Sequence, residues 1–146
     1  MTNFDNNLDF INEVYRNAHV ALQAINDVID SVDDERLKSE IMSEKVGYDR
    51  FIGDIRAYME KMNYEPKELG VMKKVMMKTG IKMNTMMDSS ESNIAQIMIK
   101  GTVMGITELC TLINQASESI DDECIDFAKR LKQLEENYEQ NLKAYL

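Results

Sequence analysis

Apolar residues recur at alternating steps of three and four from the start of the chain: Leu8, Ile11, Tyr15, Ala18, Leu22, Ile25, Ile29 and Val32. That spacing holds one face of an α-helix on a bundle seam, and Val14, Ala21 and Val28 widen the stripe. It predicts a first helix over residues 4–31. A second stripe, Leu37, Ile41, Glu44, Tyr48, Phe51, Ile55, Tyr58 and Met62, predicts a helix over 34–62. Asp33 and Asp34 are suited to cap it, because a carboxylate can accept from the free N–H groups of a first helical turn. So short a connection makes the two helices antiparallel neighbours. Glu44 is the one charged residue on the second stripe.

Asn63-Tyr64-Glu65-Pro66 ends the second helix, and Pro66 suits the first turn of a new one. The stretch 63–91 reads as a crossover. Between Lys67 and Met87 it carries six methionines and five lysines against one glutamate, with Gly70 and Gly80 loosening it. One or two short helices with a kink near Thr79-Gly80 are expected there. Asp88 and Glu91, three apart, read as a capping box for a third helix over 92–116. Its apolar positions (Ile94, Ile97, Met98, Val103, Met104, Ile106, Leu109, Leu112, Ile113) cover so wide an arc that deep burial is expected. Gly101 and Gly105 share a face, where two backbones could approach closely. Ser119-Ile120-Asp121-Asp122 introduces a fourth helix over 120–144, with Ile120, Cys124, Phe127, Leu131, Leu134, Tyr138 and Tyr145 on heptad spacing. The predicted architecture is all-α: one four-helix domain spanning 1–146, built of two hairpins joined by a long crossover.

Composition fits that reading. The chain has 146 residues, 44% hydrophobic and 29% charged, enough for one globular core without disulfides or metal. Two cysteines, Cys110 and Cys124, make neither a disulfide framework nor a zinc pattern, and both fall on helical apolar positions. The net charge of −9 disfavours binding to nucleic acid phosphates. No signal peptide is visible at the start, and no apolar stretch approaches the roughly 20 residues of a membrane span. A cytoplasmic protein is therefore expected. The crossover segment Lys67–Met87 is the local exception in charge, with a balance of +4 against −13 elsewhere. Its methionines suit an adaptable contact surface, a lysine-flanked membrane contact or thioether metal binding. The reading preferred is that they fill irregular space against the bundle, so membrane contact is not expected.

Three stretches carry a family likeness: Asp34-Glu35-Arg36-Leu37-Lys38 opening helix two, the amphipathic crossover Val71 to Met87, and the helix-three start after Asp88. With this layout the chain resembles the ferritin-like superfamily, and within it small bacterial proteins of unknown function. The resemblance implies a ferritin-like four-helix bundle. In iron-binding members it also implies one Glu on each of two helices and a Glu-x-x-His on each of the other two, all pointing inward. Carboxylates bridge two cations, imidazole completes their coordination, and a spacing of three puts both ligands on one helical face.

This chain departs from that ligand pattern. Its single histidine, His19, is on helix one. Three residues after Glu44 stands Gly47, and helix four offers Glu135 with Tyr138 but no Glu-x-x-His. Glu13, His19, Glu44 and Glu108 remain as candidate remnants of a degenerate metal site. Glu44 is expected to pair with a lysine, arginine or tyrosine hydroxyl, or to carry a proton, since an unpaired buried carboxylate is costly. No catalytic residues and no cofactor are expected, with iron or manganese on atypical ligands as the alternative. The function expected is a non-catalytic structural or protein-interaction module that self-associates, or meets another protein, through helix three or the crossover Lys67–Met87. The alternative is a metal-binding oxidoreductase or metal-storage protein.

Overall fold

The computed structural model describes residues 6–67 and 90–146, which form four long α-helices and two 3-10 turns. Helix α1 spans Asn7–Val28 and runs into a 3-10 turn at Ile29–Ser31. The Asn6 side chain caps it, accepting from the Asp9 N–H at 2.8 Å. Helix α2 spans Glu35–Lys61, and the Asp34 carboxylate accepts from the Leu37 N–H at 2.8 Å. At its far end Asn63 adopts a left-handed φ of 59°. The Asn63 and Tyr64 N–H groups then close onto the carbonyls of Glu60 and Met59 at 3.1 and 2.8 Å. This is the pair of bonds that satisfies the last carbonyls of a helix, and the Tyr64 ring packs back on Tyr58.

Helix α3 spans Glu91–Asn114. Its cap is Ser90, whose side chain accepts from the Asn93 N–H at 3.3 Å, so the role expected of Asp88 falls to a residue one place before the helix. Asp88 itself lies outside the described residues, as does the crossover from residue 68 to residue 89 with its expected kink. Helix α4 spans Asp122–Leu142 and ends in a 3-10 turn at Lys143–Tyr145. Asp121 precedes it without capping it. Its carboxylate instead accepts from Asn7 Nδ2 at 2.9 Å, and its N–H donates to Asn7 Oδ1 at 2.8 Å.

These contacts set the helix directions. The starts of α1 and α4 lie together at one end of the bundle. The start of α2 lies at the other end, where the Arg36 carbonyl accepts from the Tyr145 hydroxyl and the Arg36 guanidinium meets Glu91 at the start of α3. Lys67, by contrast, bonds back to Asn12 near the start of α1. The described residues on either side of the crossover therefore sit at opposite ends of a bundle about 40 Å long. Two hairpins joined by one such crossover make the ferritin-like connection. Helices α1 and α4 occupy the middle, each packed against all three others.

The buried faces follow the stripes with informative shifts. On α2 the buried face contains Leu37, Ile41, Glu44, Tyr48, Phe51, Ile55 and Tyr58, while Met62 is exposed. On α4 the buried residues are Cys124, Ala128, Leu131, Glu135, Tyr138 and Leu142, so Phe127 and Leu134 stand at the margin. The α3 expectation needs correction. Ile94, Ala95, Met98, Leu109 and Leu112 are buried, but Val103 and Met104 are 43% and 52% exposed. Only one side of α3 meets the bundle, and on its other side Val103 and Met104 stand exposed beside Lys100, Thr107 and Glu108. By length and composition α3 also meets the test for a membrane-crossing helix, a property that the core helix of a bundle shares.

Candidate functional site

Two carboxyl groups lie in the core midway along the bundle. Glu44 on α2 and Glu135 on α4 are each 1% exposed. Glu44 sits one turn after Ile41 and one before Tyr48, so the periodicity that buries those residues also buries the acid. Burial first, and the Glu40 carboxylate one turn away second, push the Glu44 carboxyl up to about 9. Glu135 is likewise raised well above the usual carboxylate range. Burial is the main cause, Glu108 adds to it, and the Tyr48 hydroxyl, which donates to Glu135 Oε2 at 3.4 Å, opposes it. Burial thus favours the protonated form of both acids. Of the two outcomes expected for Glu44, the proton is the one favoured: among the described residues no cation or hydroxyl pairs with its carboxyl, which meets the Glu40 side chain, and Tyr138 donates to the Glu44 backbone carbonyl at 3.5 Å.

Around these acids, glycines make the room. A Cβ on Gly47 would run into the Tyr138 hydroxyl. A Cβ on Gly105 would lie 2.6 Å from Glu135 Oε1 and 3.5 Å from Asn17 Oδ1. The Asn17 amide on α1 donates to the Gly105 carbonyl on α3 at 3.0 Å, so two backbones do come close at Gly105. At Gly101 a Cβ would meet open space. Tyr48 and Tyr138 complete the cluster with ring centroids 5.4 Å apart. Burial and the nearby acids raise both hydroxyls, Tyr138 to about 12.

The four residues singled out from the sequence are divided. Glu13 and Glu108 flank Arg16, at 3.1 and 3.8 Å, along an open cleft of about 340 Å³ between α1 and α3. The Glu108 side chain is half-exposed. Such ion pairs contribute little to stability. His19 stacks edge-on against Tyr15, 4.4 Å between centroids, and burial followed by the Arg56 charge lowers its imidazole. Only Glu44 lies in the central cluster. Its companions Glu135, Asn17, Gly47 and Gly105 were not among the candidates. Glu135 was within reach of the sequence, because it lies four residues after Leu131, but heptad counting passes to Leu134.

Measured against the ligand pattern, the donor set does not suit a pair of metal ions. The places three residues after Glu44 and Glu135, where imidazoles would stand, hold Gly47 and Tyr138. The α1 and α3 positions facing Glu135 are Asn17 and Gly105, neither of them a carboxylate. Among the described residues, no three His, Cys, Asp or Glu side chains gather where they could hold a metal ion. Among the described residues Glu44 Oε2, Glu135 Oε1 and Asn17 Oδ1 are buried without hydrogen-bond partners, and the tyrosine hydroxyl fills the space beside Gly47.

No protein-family model and no curated protein matches the chain. Among solved structures it is similar to a dodecameric thioferritin, the bacterioferritin-related protein from Bacteroides fragilis. That likeness has a TM-score of 0.72 and 16% sequence identity, and covers 94% of this chain and 82% of the other. Helix order, the placement of Lys67 and Glu91 at opposite ends of the bundle and this superposition agree: the chain folds as a ferritin-like four-helix bundle.

Proposed function

We propose that this protein is a self-associating structural module, a ferritin-like bundle whose centre does not work as a di-iron oxidase. The observation that carries the reading is the replacement of both expected imidazoles by the interlocked Gly47 and Tyr138. Redox or storage chemistry on paired iron needs ionised carboxylates that bridge cations.

Self-association is supported by the outer side of α3, where Val103 and Met104 stand exposed among other apolar positions. Neighbouring large apolar side chains left exposed are suited to an interface. The dodecameric assembly of the thioferritin with the same fold supports multimers as well. The crossover Lys67–Met87, the other surface expected to take part, lies outside the described residues beyond Lys67. A net charge of −9 argues against a nucleic acid partner. Two free thiols, Cys110 and Cys124, suit a reducing, cytoplasmic setting.

Sedimentation analysis and elemental analysis after iron loading under reducing conditions test the reading together. The expected result is a multimer without stoichiometric iron or manganese, reduced to monomers by Val103→Lys with Met104→Lys. Stoichiometric metal lost on Glu44→Ala would establish the storage or oxidoreductase alternative, and a strict monomer at high concentration would remove the assembly role.

A further inference from the structure

We propose that Glu135 is a built-in proton site, donating from Oε1–H to Asn17 Oδ1 across the notch left by Gly105 while its Oε2 accepts from the Tyr48 hydroxyl. One neutral acid would then brace α1, α2 and α4 over α3, in the part of the bundle where iron-binding relatives hold a cation. The inference rests on the metal-free reading above.

Three observations lead to it. Glu135 Oε1 and Asn17 Oδ1 are both buried, and neither has a hydrogen-bond partner. Both face the same glycine, 2.6 and 3.5 Å from the position its missing Cβ would take. Asn17 is also fixed in orientation, because its amide nitrogen already donates to the Gly105 carbonyl at 3.0 Å and reaches Glu108 at 3.5 Å. Its oxygen therefore faces away from those acceptors and needs a donor. Two acceptors cannot satisfy each other, and a buried unsatisfied oxygen is costly. One carboxyl proton removes both deficits. An ionised Glu135 leaves both in place and adds a buried charge.

The surroundings point the same way. From α2 come the Tyr48 hydroxyl and, beyond it, Glu44. From α3 comes Glu108, with Arg16 and Glu13 of α1 on its solvent side. Tyr138 is the next titratable group along the buried face of α4. Among the described residues, the cation beside Glu108 is Arg16, which is engaged by Glu13 and Glu108, and no cation is among the groups that act on Glu135. Gly105 is required by the same arrangement, since any side chain there would occupy the gap between donor and acceptor.

Carbon-13 NMR of the Glu135 carboxyl, with metal content measured on the same sample, tests the proposal. The expected result at neutral pH is the chemical shift of a neutral acid, which moves on Asn17→Leu because the acceptor is lost. Glu135→Gln, which keeps one donor and one acceptor, should hold the wild-type thermal midpoint, while Glu135→Ala lowers it. A carboxylate shift at neutral pH in metal-free protein would overturn the proton site and leave the metal-free reading standing. A carboxylate shift accompanied by stoichiometric metal would overturn both. A neutral acid indifferent to Asn17→Leu would overturn the assigned bond.

Discussion

The Tyr138 hydroxyl lies where the side chain of Gly47 would begin. Two helices reach this closeness because residue 47 has no Cβ and the tyrosine tip fills the vacancy. Its ring cannot retreat cheaply, since Cζ would itself be 3.1 Å from a new Cβ and the ring packs on Tyr48. In an open helix, Gly→Ala gains about 1 kcal/mol. At position 47 the overlap reverses the sign, and Gly47→Ala should destabilise by about 1–3 kcal/mol in urea unfolding. Gly53, with nothing within 4 Å of a new Cβ, is the control: Gly53→Ala should stabilise. Tyr138→Phe added to Gly47→Ala should recover part of the loss, a coupling that a double-mutant cycle measures.

Burial of Glu44 makes stability depend on pH. Its carboxyl stands at about 9 in the fold, against 4.5 for the free side chain. The folded state thus holds a proton that the unfolded state releases between those values. The stabilisation tied to that proton is complete below about pH 4.5 and is lost as pH rises through about 9, at up to about 1.4 kcal/mol per pH unit. Wild-type protein should therefore melt at a lower temperature at about pH 8.5 than at about pH 6. Glu44→Gln should flatten much of that slope. A slope unchanged in the variant would show that the proton resides elsewhere.

Asn63 ends α2 with a φ of 59°, a region in which asparagine is tolerated and β-branched residues are strained. Asn63→Gly should leave stability unchanged or slightly raised. Asn63→Val should cost about 1–2 kcal/mol, read as a shift in the denaturation midpoint. The fraying should appear first in hydrogen exchange at the Tyr64 amide, which bonds to the Met59 carbonyl.

The two thiols should differ in reactivity. Cys124 is buried, its Sγ lies 3.4 Å from the Tyr58 hydroxyl, and burial pushes its thiol up. Cys110 is only partly buried on α3. Thiol titration of native protein should label Cys110 first, with Cys124 reacting fully only on unfolding, because the thiolate is the reactive form. If α3 is an interface, the Cys110 rate should also rise in Val103→Lys with Met104→Lys, where subunits separate.

The order of four helices, the tight turn at Asp34 and the long crossover were legible from residue spacing, because a repeat of three and four leaves a helix little choice of buried face. The same spacing placed Glu44, Tyr48, Tyr58 and Tyr138 inside. It failed where neighbouring helices decide. Heptad counting on α4 favoured Phe127 and Leu134, whereas a straight helix of 3.6 residues per turn drifts toward Ala128 and Glu135. It read α3 as deeply buried, although a helix can hide only as much surface as its neighbours cover, and the described neighbours cover one side. It grouped Glu13, His19, Glu44 and Glu108 by residue type, while packing sent two to a surface ion cluster, one to a tyrosine edge and one to the core.

What the amino-acid order alone determined is which positions are helical, which face is apolar, and that imidazoles are missing from the ligand pattern. What only the folded chain decided is the meeting of Gly47 with Tyr138 and of Gly105 with Asn17 and Glu135. Those pairs are far apart along the chain, and local periodicity carries no information about which distant side chain will enter a given glycine's empty space.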